Sequence, residues 1–510
     1  MKRNPPGPAG VTHQSPPADP GFAAAAPEDM GTAWRAAFCL LAVLLLLLLW
    51  FPLARIPAHY TITMNEGINA YYEHVAGSGG KVYGHPPKYE YANYPPVFFH
   101  LIGWLGSVTG DINVTGRWVS LLAYLAIAVF ASLIVHRLGN SRRLGAYAGL
   151  CWLIWLCAFD PGRVGFNDMH LLGVAVSLAG LYCFVCHPEQ TRWLCASAAL
   201  FAVSLFTKQS LVAFPAAVAL QLLAAPRKRL AIWLATAIAA CSILLLLTLA
   251  VDGRYFFDHL MLPRMYYPAD IVNSLGTYLY FIQAAFVVAW IWILRHGEFG
   301  PSRVLVLAFV VAHALATFLL GWAGASLNHL TEAMVATAMM AALAIPAAEQ
   351  IVRGSPFPRA GFTLLLTLPF FLTSILVLPQ RIPSDLSRYA REIPESEAEF
   401  AYVSKFVSAQ PGPALCETLL LCYAAGKPEE YDSFAVDEAL RTGKLPMAEI
   451  LQLLETRHFR VIQMEFPAAQ PMQATPRIRF PGPFMRLLFA KYKLAFRTKW
   501  YAVFIPNQGS

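Results

Sequence analysis

"FCLLAVLLLLLLWFPLARIPAHYTITMNEGINAYYEH", residues Phe38–His74, carries the chain from hydrocarbon into chemistry. Between Arg35 and Arg55 nineteen residues bear no charge. A helix needs roughly 20 apolar residues to cross a hydrocarbon core of about 30 Å, so this run predicts a membrane span. Directly after it, "TMNEGINAYYEH", Thr63–His74, presents Glu66 beside a glycine, two tyrosines and a histidine. A Pro- and Ala-rich stretch precedes the span and no clear small-x-small cleavage site follows it. That predicts a retained signal anchor rather than a cleaved signal peptide. "MKRNPPGPAGVTHQSPPADPGFAAAAPED" reads as a disordered tail.

The rest of the chain repeats the pattern of the first span. At 510 residues, 57% hydrophobic and 13% charged, it is too apolar for a soluble globule. About eleven spans are predicted, near 36–54, 113–135, 144–159, 168–186, 192–206, 210–225, 229–250, 272–294, 304–321, 330–348 and 360–379. The fold class is therefore a polytopic α-helical membrane protein. Its expected parts are a cytoplasmic tail (1–35), a membrane body (36–379) with a first outer loop at 55–112, and a soluble extracytoplasmic domain (380–510).

A formal net charge of +8 could suggest nucleic acid, but the charges are placed by topology. With a cytoplasmic N-terminus, the five inner loops hold eleven Lys and Arg, including those of "HRLGNSRR" and "PRKR". The four short outer loops after the second span hold Arg163, Lys208, Arg254 and Arg264. This is the positive-inside asymmetry, and it predicts an inner-membrane protein with its C-terminus outside. Nucleic acid is not a partner on this reading.

Beyond residue 380 hydropathy falls and periodicity becomes mixed. "SEAEFAYVSKFVSA" and "PMAEILQLLET" have helical patterns, while "FRVIQMEF" and "WYAVFIPN" alternate as strands, the latter pairing with "YKLAFRT" in a hairpin. A small α/β domain is expected. Within the first loop, "YPPVFFHLIGWLGSVTG", Tyr94–Gly110, is short for a span and reads as an interfacial helix begun by two prolines.

Ionisable groups at the edge of a span cost about 2.5–3.5 kcal/mol on insertion scales, so each asks for a reason. Sorted by side, they gather on the outer face from five loops. Glu66 follows span one; Arg163, Asn167 and Asp168 stand in "DPGRVGFNDMH"; Lys208 and Gln209 stand in "FTKQS". Arg254, His259 and Arg264 lie between spans seven and eight, and Asn328, His329 and Glu332 lie in "SLNHLTEA". Each has an ordinary reading: Asp168 as a helix cap, Lys208 as a snorkelling anchor, Arg163 as a partner of Asp160. Their convergence predicts a polar cavity open to the outer side.

An acid after the first span, then "NAYYEHVAGSGG", "NYPPVFFHLIGW", "RVGFNDMHLLGVAVSLAGLY" and "FTKQSLVAFPAAVALQLL", resembles bacterial members of the GT-C superfamily. These are integral membrane glycosyltransferases of the protein O-mannosyltransferase and aminoarabinose transferase class, which take sugar from a polyprenyl-phosphate carrier. The resemblance covers about residues 35–380. The first-loop signature there is an acidic pair or a single acid before Gly. Here it is "NEG", with Asn65 where an acid often stands, so only Glu66 matches.

The resemblance implies a hexosyl- or pentosyltransferase with a polyprenyl-phosphate sugar as donor and a glycan, lipid or protein as acceptor. Transfer passes through an oxocarbenium-like transition state, which a carboxylate base assists and cations on the departing phosphate complete. Glu66 and Asp168 are the expected catalytic acids. Arg163, Lys208 and Arg264 are expected at the phosphate, and Asn167, Gln209, Tyr72, Tyr94, Asn328, His329 and Glu332 elsewhere in the substrate cavity. Glu66, Asp168, His329 and Glu332 could also ligate a divalent cation, and metal dependence stays open.

Two other classes fit the spans: a transporter or flippase of lipid-linked saccharides, and an O-antigen ligase or polymerase. One-sided charges speak against the first, since alternating access places sites near midplane. The early position of the largest outer loop speaks against the second. Seven cysteines lie in or beside spans, where Cys acts as a small hydrophobe; Cys416 and Cys422 fall in the tail domain, and whether they are bonded stays open.

Overall fold

The computed structural model describes residues 32–295, 299–325, 327–352, 369–465 and 479–507. Its first thirteen α-helices are α1 (Thr32–Ala54), α2 (Asn65–Gly77), α3 (Val97–Thr109), α4 (Ile112–Gly139), α5 (Arg142–Phe159), α6 (Met169–Cys186), α7 (Thr191–Thr207), α8 (Ala213–Leu223), α9 (Arg227–Val251), α10 (Phe256–Leu260), α11 (Pro268–Arg295), α12 (Arg303–Leu319) and α13 (Thr331–Val352). Ten of the predicted spans fall on α1, α4–α9 and α11–α13. The predicted eleventh, 360–379, lies outside the described residues as far as 368, as do the tail before Thr32 and the inner loop at 353–359. Seven helices among the described residues are long and apolar enough to cross a membrane. Helices α5, α7 and α8 are not among them, so the count of eleven is not matched. The protein is an integral membrane protein with a small α/β unit at its C-terminal end.

Local chemistry sets the helix ends. Asp111 caps α4 by accepting from the Val114 amide at 2.9 Å, Ser141 caps α5, and Asp168 caps α6. Small residues set the spacing between helices. In "LGAYAGL" a Cβ on Gly145 or Gly149 would come within 2.4 Å of Ser132 of α4, so α4 and α5 touch through glycine. The membrane core then runs through α1, α4–α8 and α11–α13, with Trp152 and Trp155 fully buried.

The first outer loop is more ordered than its composition suggested. Helix α3 forms on the segment predicted to be interfacial: Phe98, Phe99 and Ile102 are buried while Trp104 and Val108 are exposed. Helix α2 stands where the composition predicts loop. It holds because Glu66 and Tyr72 are drawn inward on a buried face, and because it crosses α3 at Gly77 and Gly103.

After helix Ile393–Ala409, the chain forms strands β1 (Ala414–Cys416), β2 (Val461–Glu465), β3 (Tyr492–Arg497) and β4 (Tyr501–Pro506) in the order β1-β2-β4-β3. β1 and β2 are parallel; β2–β4 and β4–β3 are antiparallel, with a bulge near Leu494. The predicted hairpin and both predicted helices are present; β1 was not foreseen. Cys416 and Cys422 are joined in a disulfide. The loop it closes lies on α2: a Cβ on Gly67 would stand 2.2 Å from the Leu420 amide nitrogen. The glycine of "NEG" thus admits the C-terminal unit.

Candidate functional site

Glu66 is fully buried at the start of α2. Its Oε1 accepts from Arg117 Nε at 2.7 Å and the Asn167 amide at 3.2 Å. Its Oε2 accepts from Arg117 Nη2 and the Ile62 amide, both at 2.8 Å. Arg117, also fully buried, gives its remaining N–H groups to the carbonyls of Ile56, Ala58 and Tyr60. Four donors fill the four acceptor sites of one carboxylate. Glu66 closes the turn between α1 and α2 around an arginine from α4.

The same face of α2 holds a second loop. Residues three, four and seven apart on a helix share a face. Asn69 donates to the Asn167 carbonyl at 2.7 Å, and Asn167 Nδ2 donates to Glu73 Oε2 at 2.7 Å. With Glu66 on the Asn167 amide, α2 grips this asparagine by three of its polar atoms. Gly116 of α4 makes room, since a Cβ there would lie 1.9 Å from Asn167 Oδ1. Burial holds the Glu73 carboxyl well above the usual carboxylate range.

Asp168, the next residue, is 1% exposed. Its Oδ1 accepts from the His170 amide at 2.6 Å as the cap of α6, and Ser120 Oγ donates to its carbonyl at 2.9 Å. Its Oδ2 has no hydrogen-bond partner among the described residues. The capping role anticipated for Asp168 therefore occupies one oxygen and leaves the other.

Cations collect around that oxygen. Lys208, 3% exposed at the end of α7, has an Nζ without a hydrogen-bond partner among the described residues, 5.0 Å from the centre of the Tyr94 ring. Burial pulls its ammonium down to about 8; Asp168 opposes the shift, and Arg163 and Arg264 add to it. Arg163 is buried and its Nε donates to Asp160 Oδ2 at 2.8 Å, the pairing anticipated from sequence. Tyr94 is raised to about 12, chiefly by burial and then by Asp168, with Arg264 and Arg163 opposing. Asp168, Arg163, Lys208, Arg264 and Tyr94 thus form one electrostatic cluster. His329 is half-buried at its edge, its ring 6.5 Å from that of His170, and Asn328 is buried beside it.

Three expected members stand apart. Gln209 is exposed and donates to the Asn93 carbonyl at 2.9 Å, tying the first loop to the turn after α7. Glu332 faces the Ala213 and Phe214 amides at the N-terminus of α8 and serves that helix end. Tyr72 packs 5.7 Å from Phe99, its hydroxyl turned toward Glu429, Glu90 and Asp432. The four side chains considered as metal ligands do not converge: Glu66 is filled by Arg117 and Glu332 lies at α8. Among the described residues no group of three or more His, Cys, Asp or Glu is placed to hold a metal ion.

Sequence reading passed over Arg117, Asn69 and Glu73. Arg117 lies near the start of a predicted span, 51 residues from the carboxylate it pairs with. The spacing of Glu66, Asn69 and Glu73 was a usable signal, but only once the segment is taken as helical.

A membrane body with a charged cluster formed between its helix ends and a large first loop, closed by a small α/β unit, is a fold that the chain shares with solved structures of ArnT and of an oligosaccharyltransferase. The sequence profile of a family described as dolichyl-phosphate-mannose-protein mannosyltransferase matches residues 93–252. Among solved structures the chain is similar to ArnT from Cupriavidus metallidurans in the apo state, at 15% identity and a TM-score of 0.58, over 93% of this chain and 98% of that one. It is similar to the same protein bound to undecaprenyl phosphate, at 14% identity and a TM-score of 0.58, over 94% and 99%. It also resembles the Archaeoglobus fulgidus oligosaccharyltransferase in the apo form, at 10% identity and a TM-score of 0.57, over 86% and 70%. No curated protein matches by sequence.

Proposed function

We propose that this protein is a membrane glycosyltransferase that moves a hexosyl or pentosyl group from a polyprenyl-phosphate carrier to an acceptor hydroxyl at the outer face of the inner membrane. The observation that carries it is a buried carboxylate with one unengaged oxygen, Asp168, beside a buried ammonium with no partner among the described residues, Lys208. Unpaired buried charge is costly, so such a pair is built for a ligand that completes it. The fold and the undecaprenyl phosphate bound by the similar ArnT support a lipid phosphate as that ligand.

Asp168 Oδ2 takes the proton from the acceptor hydroxyl as the acceptor oxygen bonds to the sugar's anomeric carbon. The bond from that carbon to the phosphate oxygen breaks, and the electron pair leaves with the polyprenyl phosphate. Lys208 and Arg264, with Arg163 nearby, neutralise the departing anion, and Arg163 supplies a planar fork where Lys208 supplies a point charge. The Tyr94 ring holds the Lys208 ammonium in place. Glu66 is reassigned from base to positioning residue, because taking a proton would break its pairing with Arg117. Through Asn167 the Glu66–Arg117 pair fixes the backbone that carries Asp168.

The Cys416–Cys422 disulfide supports an outer C-terminal unit, since such bonds persist in oxidising compartments. The test is purified protein with labelled polyprenyl-phosphate sugars. Label should pass to an acceptor with release of polyprenyl phosphate. Movement of intact lipid-linked sugar between leaflets without cleavage would contradict transfer and favour a flippase.

A further inference from the structure

A cavity of about 420 Å³ lies where α9 ends, with no member of the Asp168–Lys208 cluster in its lining. Lys81, His85 and Pro86 of the first loop line one side; Leu249, Arg254 and Tyr255 line the other. The two segments are zipped by backbone bonds, Tyr83 N–H to the Asp252 carbonyl at 2.7 Å and Tyr255 N–H to the Tyr83 carbonyl at 3.4 Å. Gly253 makes the close approach possible: its φ is +118°, and a Cβ there would stand 2.3 Å from the Tyr83 carbonyl oxygen. The cavity therefore has rigid walls.

Two cations line it. Lys81 and Arg254 are exposed and neither forms an ion pair among the described residues; Arg254 donates to the Tyr255 hydroxyl at 2.7 Å and lies over that ring. The helix that ends at the cavity is apolar and largely unburied. Only 6% of the most apolar stretch of α9 is buried, and Val251 at its end is more than half exposed. Simple snorkelling would place such cations on an open surface, whereas here they border a walled cavity at the end of a lipid-facing helix.

We propose that this cavity binds the phosphate headgroup of an anionic membrane lipid, with Lys81 and Arg254 on the phosphate and the acyl chains along Leu249 and the exposed face of α9. The lipid is favoured over free phosphate because Leu249 in the lining belongs to α9, whose most apolar stretch is left almost wholly exposed. The site is separate from the donor cluster. Tyr83 stands between them, its hydroxyl donating to the Tyr94 carbonyl at 2.6 Å, and Tyr94 carries Lys208 on its ring.

The test is lipid retention by the purified full-length protein, read by native mass spectrometry and by thermal unfolding. The probes are phosphatidylglycerol, phosphatidylcholine and inorganic phosphate. Wild type should retain phosphatidylglycerol in preference to phosphatidylcholine. K81Q combined with R254Q should weaken phosphatidylglycerol retention about tenfold, in line with the contribution of basic residues at anionic surfaces. Its unfolding in phosphatidylcholine should match wild type; if the double variant does not fold, K81Q alone should weaken retention severalfold. Equal retention of phosphatidylglycerol by wild type and folded variant would overturn the proposal. So would equal retention of both lipids, or displacement of phosphatidylglycerol by an equal concentration of inorganic phosphate.

Discussion

At Asp168 one carboxylate oxygen is engaged by the N-terminus of α6 and the other faces Lys208's field. At Glu66 both oxygens are engaged twice. That difference predicts different failures. Glu66→Gln leaves Arg117 as a buried charge without its counterion, and losing one partner of a buried pair costs about 3–5 kcal/mol. Its thermal unfolding should drop sharply, and the fraction that folds should keep much of its turnover. Lys208 gives a pH signature. Its ammonium is charged below its pKa, so donor binding should weaken as pH rises through about 8, seen as a rising KM for donor. Lys208→Arg should move that loss to higher pH, and a KM independent of pH between 7 and 9 in wild type would count against Lys208 at the phosphate. Position alone exposed Glu66, Asp168 and Lys208 in the sequence, since each is an ionisable group at a span edge. Arg117 was equally visible but its partner was not: Glu66 and Arg117 are 51 residues apart, and no local pattern announces such a pairing.

Among the elements, the long apolar helices were legible because burial in lipid demands an uninterrupted run. Helix α2 was not. Thirteen residues that turn Glu66, Asn69 and Glu73 inward have no apolar stripe for periodicity to detect. Its helicity depends on tertiary partners: Arg117 from α4, Asn167 before α6, and the disulfide-closed loop on Gly67. Gly67→Ala tests the last of these. The added Cβ meets backbone at 2.2 Å, so overpacking should cost about 1–3 kcal/mol, read as a lowered unfolding temperature in detergent. An unchanged Tm would mean that the C-terminal unit does not press on α2. The hairpin of β3 and β4 was legible from alternation, whereas the three residues of β1 were too few to alternate.

At the scale of the whole molecule, the charged cluster exists only because distant parts meet. Asp168 precedes α6, Lys208 follows α7, Arg264 lies before α11 and Tyr94 before α3. That these charges stand at span edges was legible in the sequence. Which of them would touch was not, since helix packing decides it. The same topology predicts that reporter fusions after Gly139 and after Ser510 lie on opposite sides of the membrane; the same side for both would detach the cluster from the outer face. The most direct measurement is the single-turnover rate of sugar transfer at saturating polyprenyl-phosphate donor for Asp168→Asn, with donor binding and unfolding measured on the same preparation. Loss of a general base lowers the rate by about 10²–10⁴. The predicted result is a loss of that size with donor still bound and no more than about 1 kcal/mol of lost cap stability. An Asp168→Asn protein that transfers sugar at the wild-type rate would contradict the assignment of Asp168 as the base.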